Sequence, residues 1–287
     1  MHFNFEAILV VLTLFSGFVW LIDSLFFAKK RLLKLGVIKK ESPGCLRKFI
    51  MIYGGVGLPQ NMKMPKLIEY SRSFFPVLLL VLLVRTFVYE PYRIPSGSDK
   101  PTLLVGDLIL VNKHIYGWRL PISNQVIYKN ENTQRGDIVV FRFSAGDPSK
   151  DLIKRIIGLP GDHISYLDKV VYINGVKVPQ EVLGDATDSD GQSSWPVVKK
   201  QEALPGSPHL IYQRPQAPTQ NVDVIVPADH YFVLGDNRDD SYDSRYWGFV
   251  SQDDLKGKAT RVWLSWNGLS EGIMHAIRWE RIGKKIQ

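Results

Sequence analysis

Cysteine is nearly absent from this chain of 287 residues, which contains a single one, Cys45. An intramolecular disulfide is therefore excluded. The six histidines are scattered, without the spacing of metal ligands and without cysteine partners. Structural zinc sites need such clusters, so the sequence gives no zinc signature, and we expect neither a metal nor another cofactor.

Acidic residues are scarce in one segment. Between Ala28 and Ser73 there are eleven basic residues against two acidic ones, Glu41 and Glu69, which gives this segment a net charge of +9. The whole chain carries +8, so the remainder is close to neutral at −1. Because the basicity is local, the main part of the chain has no basic face of the kind that binds DNA, and we expect no nucleic-acid partner.

Charged residues are also missing from the apolar run 7–22, which continues past Asp23 to Ala28. The total is long enough to cross a bilayer as a helix. A cleavable signal peptide is the main alternative, but it would place basic residues before its apolar core and small residues after it. Here the basic residues 29–31 follow the core, and phenylalanines stand where small residues would be needed. Residues 1–28 are therefore predicted to be a retained membrane anchor.

A second apolar run, 74–84, continues past Arg85 to Tyr89. The run is short by itself, and its length alone would favour a core helix. An arginine near the end of a span can extend its charge to the interface, and tyrosine suits the same depth. We therefore interpret 73–89 as a second span.

The two spans define a topology across the lipid bilayer. The basic loop 29–72 between them is placed in the cytoplasm by the positive-inside rule. Residues 90–287 then lie on the opposite side of the membrane, as one exported domain without a thiol, and Cys45 stays on the reducing side.

The sequence pattern of the exported domain predicts a mostly β structure. Short apolar or alternating runs recur between turn residues. These runs are 107–111, 137–143, 170–173 and 231–234. Asn174-Gly175 is a strong hairpin signal between two such runs. The stretch from about 184 to 219 is rich in prolines and polar turn residues, and it is predicted to be a loop-rich surface insertion.

Ser96 and Ser98 lie between two prolines, on either side of Gly97. Proline fixes φ and glycine permits unusual backbone angles, so this turn can hold a hydroxyl at an angle that a strand would not give. A nucleophile is presented in this way. In isolation, an ordinary polar surface loop would have the same composition.

Lys154 stands in a strongly apolar setting. Its neighbours in sequence include Leu152, Ile153, Ile156 and Ile157. One face of a strand with this composition is expected to be buried. A desolvated lysine is more readily neutral, and a neutral amine can act as a general base. A lysine that extends from a strand edge into solvent is the alternative.

A third cluster, 235–248, is too dense in charged and turn-forming residues to be a core element. The alternative interpretation of this cluster is a solvated turn or a calcium-binding loop. The spacing does not match an EF-hand, because Asn237-Arg238 interrupts it.

Taken together, the three clusters resemble those of bacterial type I signal peptidase, of the Gram-negative kind with two spans. The likeness covers nearly the whole chain, except the detail of 184–219 and of the basic loop. The matching motifs, in this order, are Pro95-Ser96-Gly97-Ser98, Arg135-Gly136-Asp137, Lys154-Arg155, Gly158-Leu159-Pro160-Gly161-Asp162, Gly235-Asp236-Asn237-Arg238-Asp239 and Ser241 with Asp243 and Arg245.

The resemblance implies a mostly antiparallel β catalytic domain on the periplasmic side of the cell inner membrane. It implies a serine endopeptidase that removes signal peptides from exported preproteins at small-x-small sites. By position, Ser98 would be the nucleophile and Lys154 the general base. The Ser96 hydroxyl and the Ser98 N–H would form the oxyanion hole.

The resemblance also implies supporting roles. Ser241 would orient the Lys154 amine, while Asp243 and Arg245 would pair and hold their loop. Shallow apolar pockets for the small residues at positions −1 and −3 of the substrate would be lined by Ile94, Val140 and Ile153.

Asp99 departs from the family pattern, which has methionine after the nucleophile at a position that helps to line the substrate pocket. A carboxylate there would be unfavourable if it were buried without a partner. Near Lys154 it would favour the ammonium form and weaken the base. It could instead pair with Lys100 in solvent, or change which residues the pocket accepts. The chain could therefore be a specialised or weakly active relative.

Other Ser/Lys proteins fit less well. A self-cleaving transcriptional regulator would need a DNA-binding motif in place of the spans. A Ser-x-x-Lys enzyme of the penicillin-binding type would need a lysine where Pro101 stands. A catalytically dead scaffold that binds signal peptides would be expected to lack Ser98 or Lys154, and both are present.

Overall fold

The first elements of the chain are helical. The computed structural model describes residues 5–34, 64–119, 126–130, 133–268 and 276–286. Helix α1 comprises Phe5–Ile22, and a π-helical stretch, Asp23–Phe27, joins it to α2, Ala28–Lys34. Helix α3 comprises Lys66–Phe87. The described residues fall into two compact units, which divide between Thr86 and Phe87.

Two helical segments are long and apolar enough to cross a membrane. Their mean hydropathies are 2.2 for Ala7–Phe27 and 1.8 for Lys66–Phe87. The two segments contact each other where the rings of Trp20 and Phe75 lie 5.4 Å apart. A Cβ atom at Gly17 would come within 2.6 Å of the Phe75 ring, so only glycine permits this close approach.

The predicted spans, 1–28 and 73–89, both overlap these segments, although α3 begins earlier, at Lys66. The predicted basic loop 29–72 is described only at its two ends. Its central part, 35–63, which includes Cys45, lies outside the described residues.

The part of the chain described after α3 is dominated by strands, with one short α-helix, α4, at Ser244–Trp247 and three single turns of 3-10 helix. The strands are β1 Tyr89–Arg93, β2 Asp107–Asn112, β3 Gly117–Arg119, β4 Val126–Lys129, β5 Ile138–Arg142, β6 Asp151–Gly158, β7 His163–Leu167, β8 Val170–Ile173, β9 Val176–Lys177, β10 Gln180–Ser189, β11 Ser194–Glu202, β12 His209–Gln213, β13 Val222–Ile225, β14 His230–Leu234, β15 Val250–Ser251 and β16 Leu255–Ser265.

The largest sheet has seven strands in the order β1-β2-β16-β5-β6-β14-β15, and its neighbours run antiparallel. Alternate residues along its strands are apolar, and their side chains form one of the apolar cores against the sheet. Ile109 and Val111 of β2, for example, are fully buried in a cluster with Val140 of β5 and Val262 of β16. The mostly antiparallel β fold expected from the sequence is confirmed.

A second sheet has the order β13-β7-β8-β9. Asn174 and Gly175 connect β8 to β9, and both have positive φ angles, of 52° and 78°. Two left-handed residues in succession are typical of the hairpin turn that an Asn-Gly pair favours. The hairpin predicted at this position is confirmed.

The stretch 184–219 is not loop-rich, and this prediction is wrong. A third sheet, β10-β11-β12, occupies much of it, with β10 and β11 paired from Gln180↔Glu202 to Ser189↔Ser194. Most side chains of β10 are exposed, so the strand has no apolar alternation that would reveal it in the sequence. The backbone ladder between the two strands stabilises the hairpin instead.

Two loops converge beside β6, which lies between β5 and β14 in the large sheet. The nucleophile loop, defined here as residues 94–106, connects β1 to β2. The acidic loop, defined as 235–243, follows β14. Asn237 of the acidic loop donates its N–H to the carbonyl of Ser98 over 3.0 Å, which fixes one loop against the other.

Candidate active site

Ser98 is held in a tightly bonded turn of the nucleophile loop. Besides the bond to Ser98, Asn237 donates its side-chain amide to the Gly97 carbonyl over 3.1 Å. Within the loop, the N–H of Lys100 bonds the same carbonyl, and the N–H of Leu103 bonds the carbonyl of Asp99. The Ser98 side chain is 9% exposed. The sequence predicts that this turn holds a hydroxyl rigidly. In the structure, part of that rigidity comes from the acidic loop, which is distant in sequence.

Lys154 points its amine at this hydroxyl. Strand β6 pairs Val139↔Lys154 with β5, and residues 153–158 are buried along both of its faces. The Lys154 side chain is 3% exposed, and its Nζ lies 2.6 Å from Ser98 Oγ and 2.8 Å from the Ile153 carbonyl oxygen. This is the separation that a nucleophile and its general base require.

The Ser96 hydroxyl and the Ser98 backbone amide lie beside the nucleophile. Ser96 Oγ is 3.5 Å from Ser98 Oγ, on the exposed side of the turn. The Ser98 N–H donates no hydrogen bond to the residues that the structure describes. Both donors are therefore open to an oxyanion formed at Ser98.

Asp99 is buried inside the same group. Its Oδ2 accepts a hydrogen bond from Ser98 Oγ over 3.1 Å and lies 3.6 Å from Lys154 Nζ. Burial raises the pKa of Asp99 to about 6, opposed by the charge of Lys154 and assisted by that of Asp236. Of the arrangements considered from the sequence, the structure has the one in which Asp99 faces Lys154.

Lys100 does not pair with Asp99. Its amine bonds Asp188 Oδ1 over 2.7 Å and the Ser189 carbonyl oxygen over 2.5 Å. The other carboxylate oxygen of Asp188 accepts the side-chain amide of Asn237 over 2.7 Å. The tip of the β10–β11 hairpin is thereby joined to the nucleophile loop and to the acidic loop.

A buried ion pair lies directly behind the dyad. Arg155 donates from Nε and Nη2 to the two carboxylate oxygens of Asp236, over 2.8 and 2.7 Å, and from Nη1 to the Gly136 carbonyl. Burial alone would raise the pKa of Asp236, but the Arg155 guanidinium lowers it below its ordinary value. Both residues stand in matched motifs, yet sequence reasoning gave them no role, because their contact joins positions far apart in the chain.

Asp243 and Arg245 form the pair expected of them. Arg245 bonds both carboxylate oxygens of Asp243 over 2.8 Å, and Asp243 also accepts the N–H of Gly235 over 3.1 Å. Ser241 differs from expectation: its Oγ has no hydrogen-bond partner within the described residues, so it does not bond the Lys154 amine here. The Ile153 carbonyl makes the contact that was predicted for Ser241.

The predicted pocket residues are brought together. Ile94, Val140 and Ile153 are buried in one apolar cluster, and Val140 pairs with Ile153 across β5 and β6. They adjoin the dyad in sequence, since Ile153 precedes Lys154 and Ile94 begins the nucleophile loop. In the structure the three side chains form part of the apolar core against the large sheet.

Comparison with known proteins identifies the family. The family model described as "Signal peptidase, peptidase S26" matches residues 67–264. The chain belongs to this family. It is 39% identical to a signal peptidase I of Pseudomonas fluorescens, over 99% of each chain. It is also 39% identical to that of Pseudomonas aeruginosa, over 93% of this chain and 94% of the relative. A crystal structure of a signal peptidase I from Enterococcus faecalis is 32% identical, covering 44% of this chain and 95% of its own, with a TM-score of 0.27.

Membership in the signal peptidase family makes this chain a serine peptidase. The match with the family model includes the nucleophile loop, β6 and the acidic loop. The family therefore agrees with the resemblance drawn from the motifs. The two apolar helical segments fit a membrane protein.

Proposed function

We propose that this protein is a membrane-bound endopeptidase that cleaves N-terminal signal peptides from exported preproteins by a Ser98/Lys154 dyad. The observation that carries the proposal is the distance of 2.6 Å between Lys154 Nζ and Ser98 Oγ in a buried setting. At this distance the amine can accept the hydroxyl proton directly, as a general base must. The names of the relatives supply the class of substrate.

The dyad would act in two steps. First, Ser98 Oγ attacks the carbonyl carbon of the scissile peptide while neutral Lys154 takes the hydroxyl proton, and the oxyanion accepts hydrogen bonds from the Ser98 N–H and the Ser96 hydroxyl. Lys154 then gives its proton to the leaving amine, and an ester to Ser98 remains. In the second step Lys154 deprotonates a water molecule, which hydrolyses the ester and regenerates the hydroxyl.

Specificity for small residues at positions −1 and −3 is the specificity that the matched motifs imply, with the apolar cluster of Ile94, Val140 and Ile153 as its proposed source. Ile94, Val140 and Ile153 supply branched side chains that leave little room for a large substrate residue. The Asp99 carboxylate lies beside Ser98 and Lys154, where it would disfavour an acidic substrate side chain. We therefore infer cleavage after small-x-small sequences.

The membrane topology supports the same function. Helical segments 7–27 and 66–87 would cross the inner membrane, with the basic loop between them in the cytoplasm. The sheets that carry the dyad would then lie on the periplasmic side, where signal peptides emerge. The lipid bilayer and the signal peptide are thus the proposed partners.

A specialised or weakly active relative is the second candidate. The observation that favours it is the contact of Asp99 with both members of the dyad. It predicts slow cleavage of a general Ala-x-Ala preprotein, together with efficient cleavage of a narrow substrate set.

Cleavage of an Ala-x-Ala preprotein by full-length protein in detergent, with the product N-terminus mapped, tests these proposals. Ser98→Ala and Lys154→Ala are expected to lower kcat about a thousand-fold or more while leaving the fold intact. Lys150→Ala is the matched control, because Lys150 is an exposed lysine of the same region. Native-like activity in either dyad variant would refute the assignment. Slow cleavage by the native protein that Asp99→Met accelerates would favour the second candidate.

A further inference from the structure

The carboxyl group of Asp99 acts on the dyad at close range. One oxygen contacts both Ser98 and Lys154, while Oδ1 has no hydrogen-bond partner among the residues described. The side chain is 1% exposed. Because solvent does not screen it, a charge here influences both neighbours more strongly than a surface carboxylate would.

The hydrogen bonds around Ser98 correspond to a resting arrangement. Lys154 Nζ lies within hydrogen-bonding distance of Ser98 Oγ and of the Ile153 carbonyl oxygen. Ser98 directs its own hydrogen to Asp99 Oδ2. A general base must instead accept the serine hydrogen, so the bond from Ser98 to Asp99 has to break before attack.

Charged groups from two segments, and one hydroxyl of its own loop, face Asp99. Lys154 and Arg155, both of β6, favour its ionised form, and Asp236 of the acidic loop disfavours it. On its own loop, the Ser98 hydroxyl stabilises the carboxylate by donating to it. Since burial raises the pKa of Asp99 only to about 6, the group is mainly ionised above that pH.

We propose that Asp99 sets the pH range in which the enzyme works, because its carboxylate stabilises the resting arrangement of Ser98 and Lys154. The proposal rests on the dyad proposed above. An anionic neighbour favours the charged form of a lysine. Asp99 touches the reacting groups without taking part in bond changes, and it acts as a positioning residue.

Two events must precede attack. The Lys154 ammonium releases one proton to solvent, and the Ser98 hydroxyl turns from Asp99 Oδ2 to Lys154 Nζ. The serine proton then passes to Nζ as Oγ attacks, and from Nζ to the leaving amine. An ionised Asp99 opposes both preceding events, so the native enzyme needs a more alkaline solution to reach full activity.

Asp99→Asn tests this proposal, because it removes the charge and keeps the shape. The acidic limb of the kcat/KM profile against pH is expected to move about one to three units toward lower pH, with KM little changed. At a pH on that limb, kcat/KM then rises tenfold or more. Asp99→Met is a second uncharged variant and is expected to shift the limb in the same direction. Asp168→Asn, which removes an exposed carboxylate from the turn between β7 and β8, is the control and should leave the profile unchanged.

The measurements use full-length protein in detergent with the Ala-x-Ala preprotein, and each variant is checked for a cooperative melting curve. An acidic limb that stays in place in both Asp99 variants would overturn the proposal. So would loss of cleavage at every pH in folded Asp99 variants, since Asp99 would then be required for the reaction. Full activity of Ser98→Ala is a separate outcome, which would refute the dyad itself.

Discussion

The burial of Asp99 predicts a pH-dependent stability that is independent of catalysis. The pKa of the group rises from an ordinary value of 3.8 to about 6, chiefly because burial disfavours the carboxylate. The folded protein therefore binds this proton more tightly than the unfolded chain does. The stability that protonated Asp99 contributes is fully present below about pH 4, and it is lost as the pH rises through about 6. At 1.36 kcal/mol for each pKa unit, the loss is about 3 kcal/mol once both states are ionised.

The side chain introduced by Asp99→Asn does not titrate, so the stability of this variant should not fall as the pH rises from about 4 through about 6. The free energy of unfolding of Asp99→Asn, minus that of the native protein, is expected to grow by about 2 to 3 kcal/mol between pH 4 and pH 8. Urea unfolding of the full-length protein in detergent, followed by tryptophan fluorescence, measures this difference. Asp185→Asn, at an exposed site on β10, is the control and should show no such trend. Parallel stability profiles for Asp99→Asn and the native protein would refute the reasoning.

Three further predictions concern the surroundings of the dyad. Asp236→Asn is expected to destabilise the protein by about 3 to 5 kcal/mol in urea unfolding, because it removes the buried charge that accepts two hydrogen bonds from the Arg155 guanidinium; a loss below 1 kcal/mol would contradict this. Gly235→Ala is expected to lower kcat about tenfold or more, because its Cβ would lie 2.5 Å from the Ser98 carbonyl oxygen and displace the nucleophile loop; native kcat would show that the loop tolerates the shift. Asp188→Asn is expected to speed limited proteolysis of the β10–β11 hairpin, since Lys100 loses its ionic partner; unchanged cleavage would mean that this pair does not secure the hairpin.

Much of the fold could be predicted because its signals are local. The runs 107–111 and 170–173 coincide with β2 and β8, since alternating β-branched residues suit a half-buried strand. The Asn174-Gly175 turn needed only the conformational freedom of two residues. Ser98 and Lys154 could be named as a candidate dyad from the motifs, although their contact joins positions 56 residues apart.

The remaining features depend on contacts between distant segments. Strand β10 is largely exposed, which leaves no apolar pattern to read, and it joins its sheet through backbone pairing with β11. From the sequence, Asp99 could either pair with Lys100 or face Lys154. The choice depends on where the Lys100 amine lies, which the sequence does not show. That lysine is drawn away by Asp188, which is 88 residues further along the chain.

The β10–β11 hairpin is consequently part of the framework of the site. Asp188 is buried and satisfies the amine of Lys100 with one oxygen and the amide of Asn237 with the other. Asn237 in turn bonds the carbonyls of Gly97 and Ser98 through its side chain and its backbone. Removing the hairpin would leave these buried donors unsatisfied, at about 1 to 3 kcal/mol for each, and the nucleophile loop would lose the contacts that orient Ser98. A segment with the composition of a surface excursion thus constrains the position of the reactive hydroxyl, and trimming it should impair catalysis before it impairs folding of the large sheet.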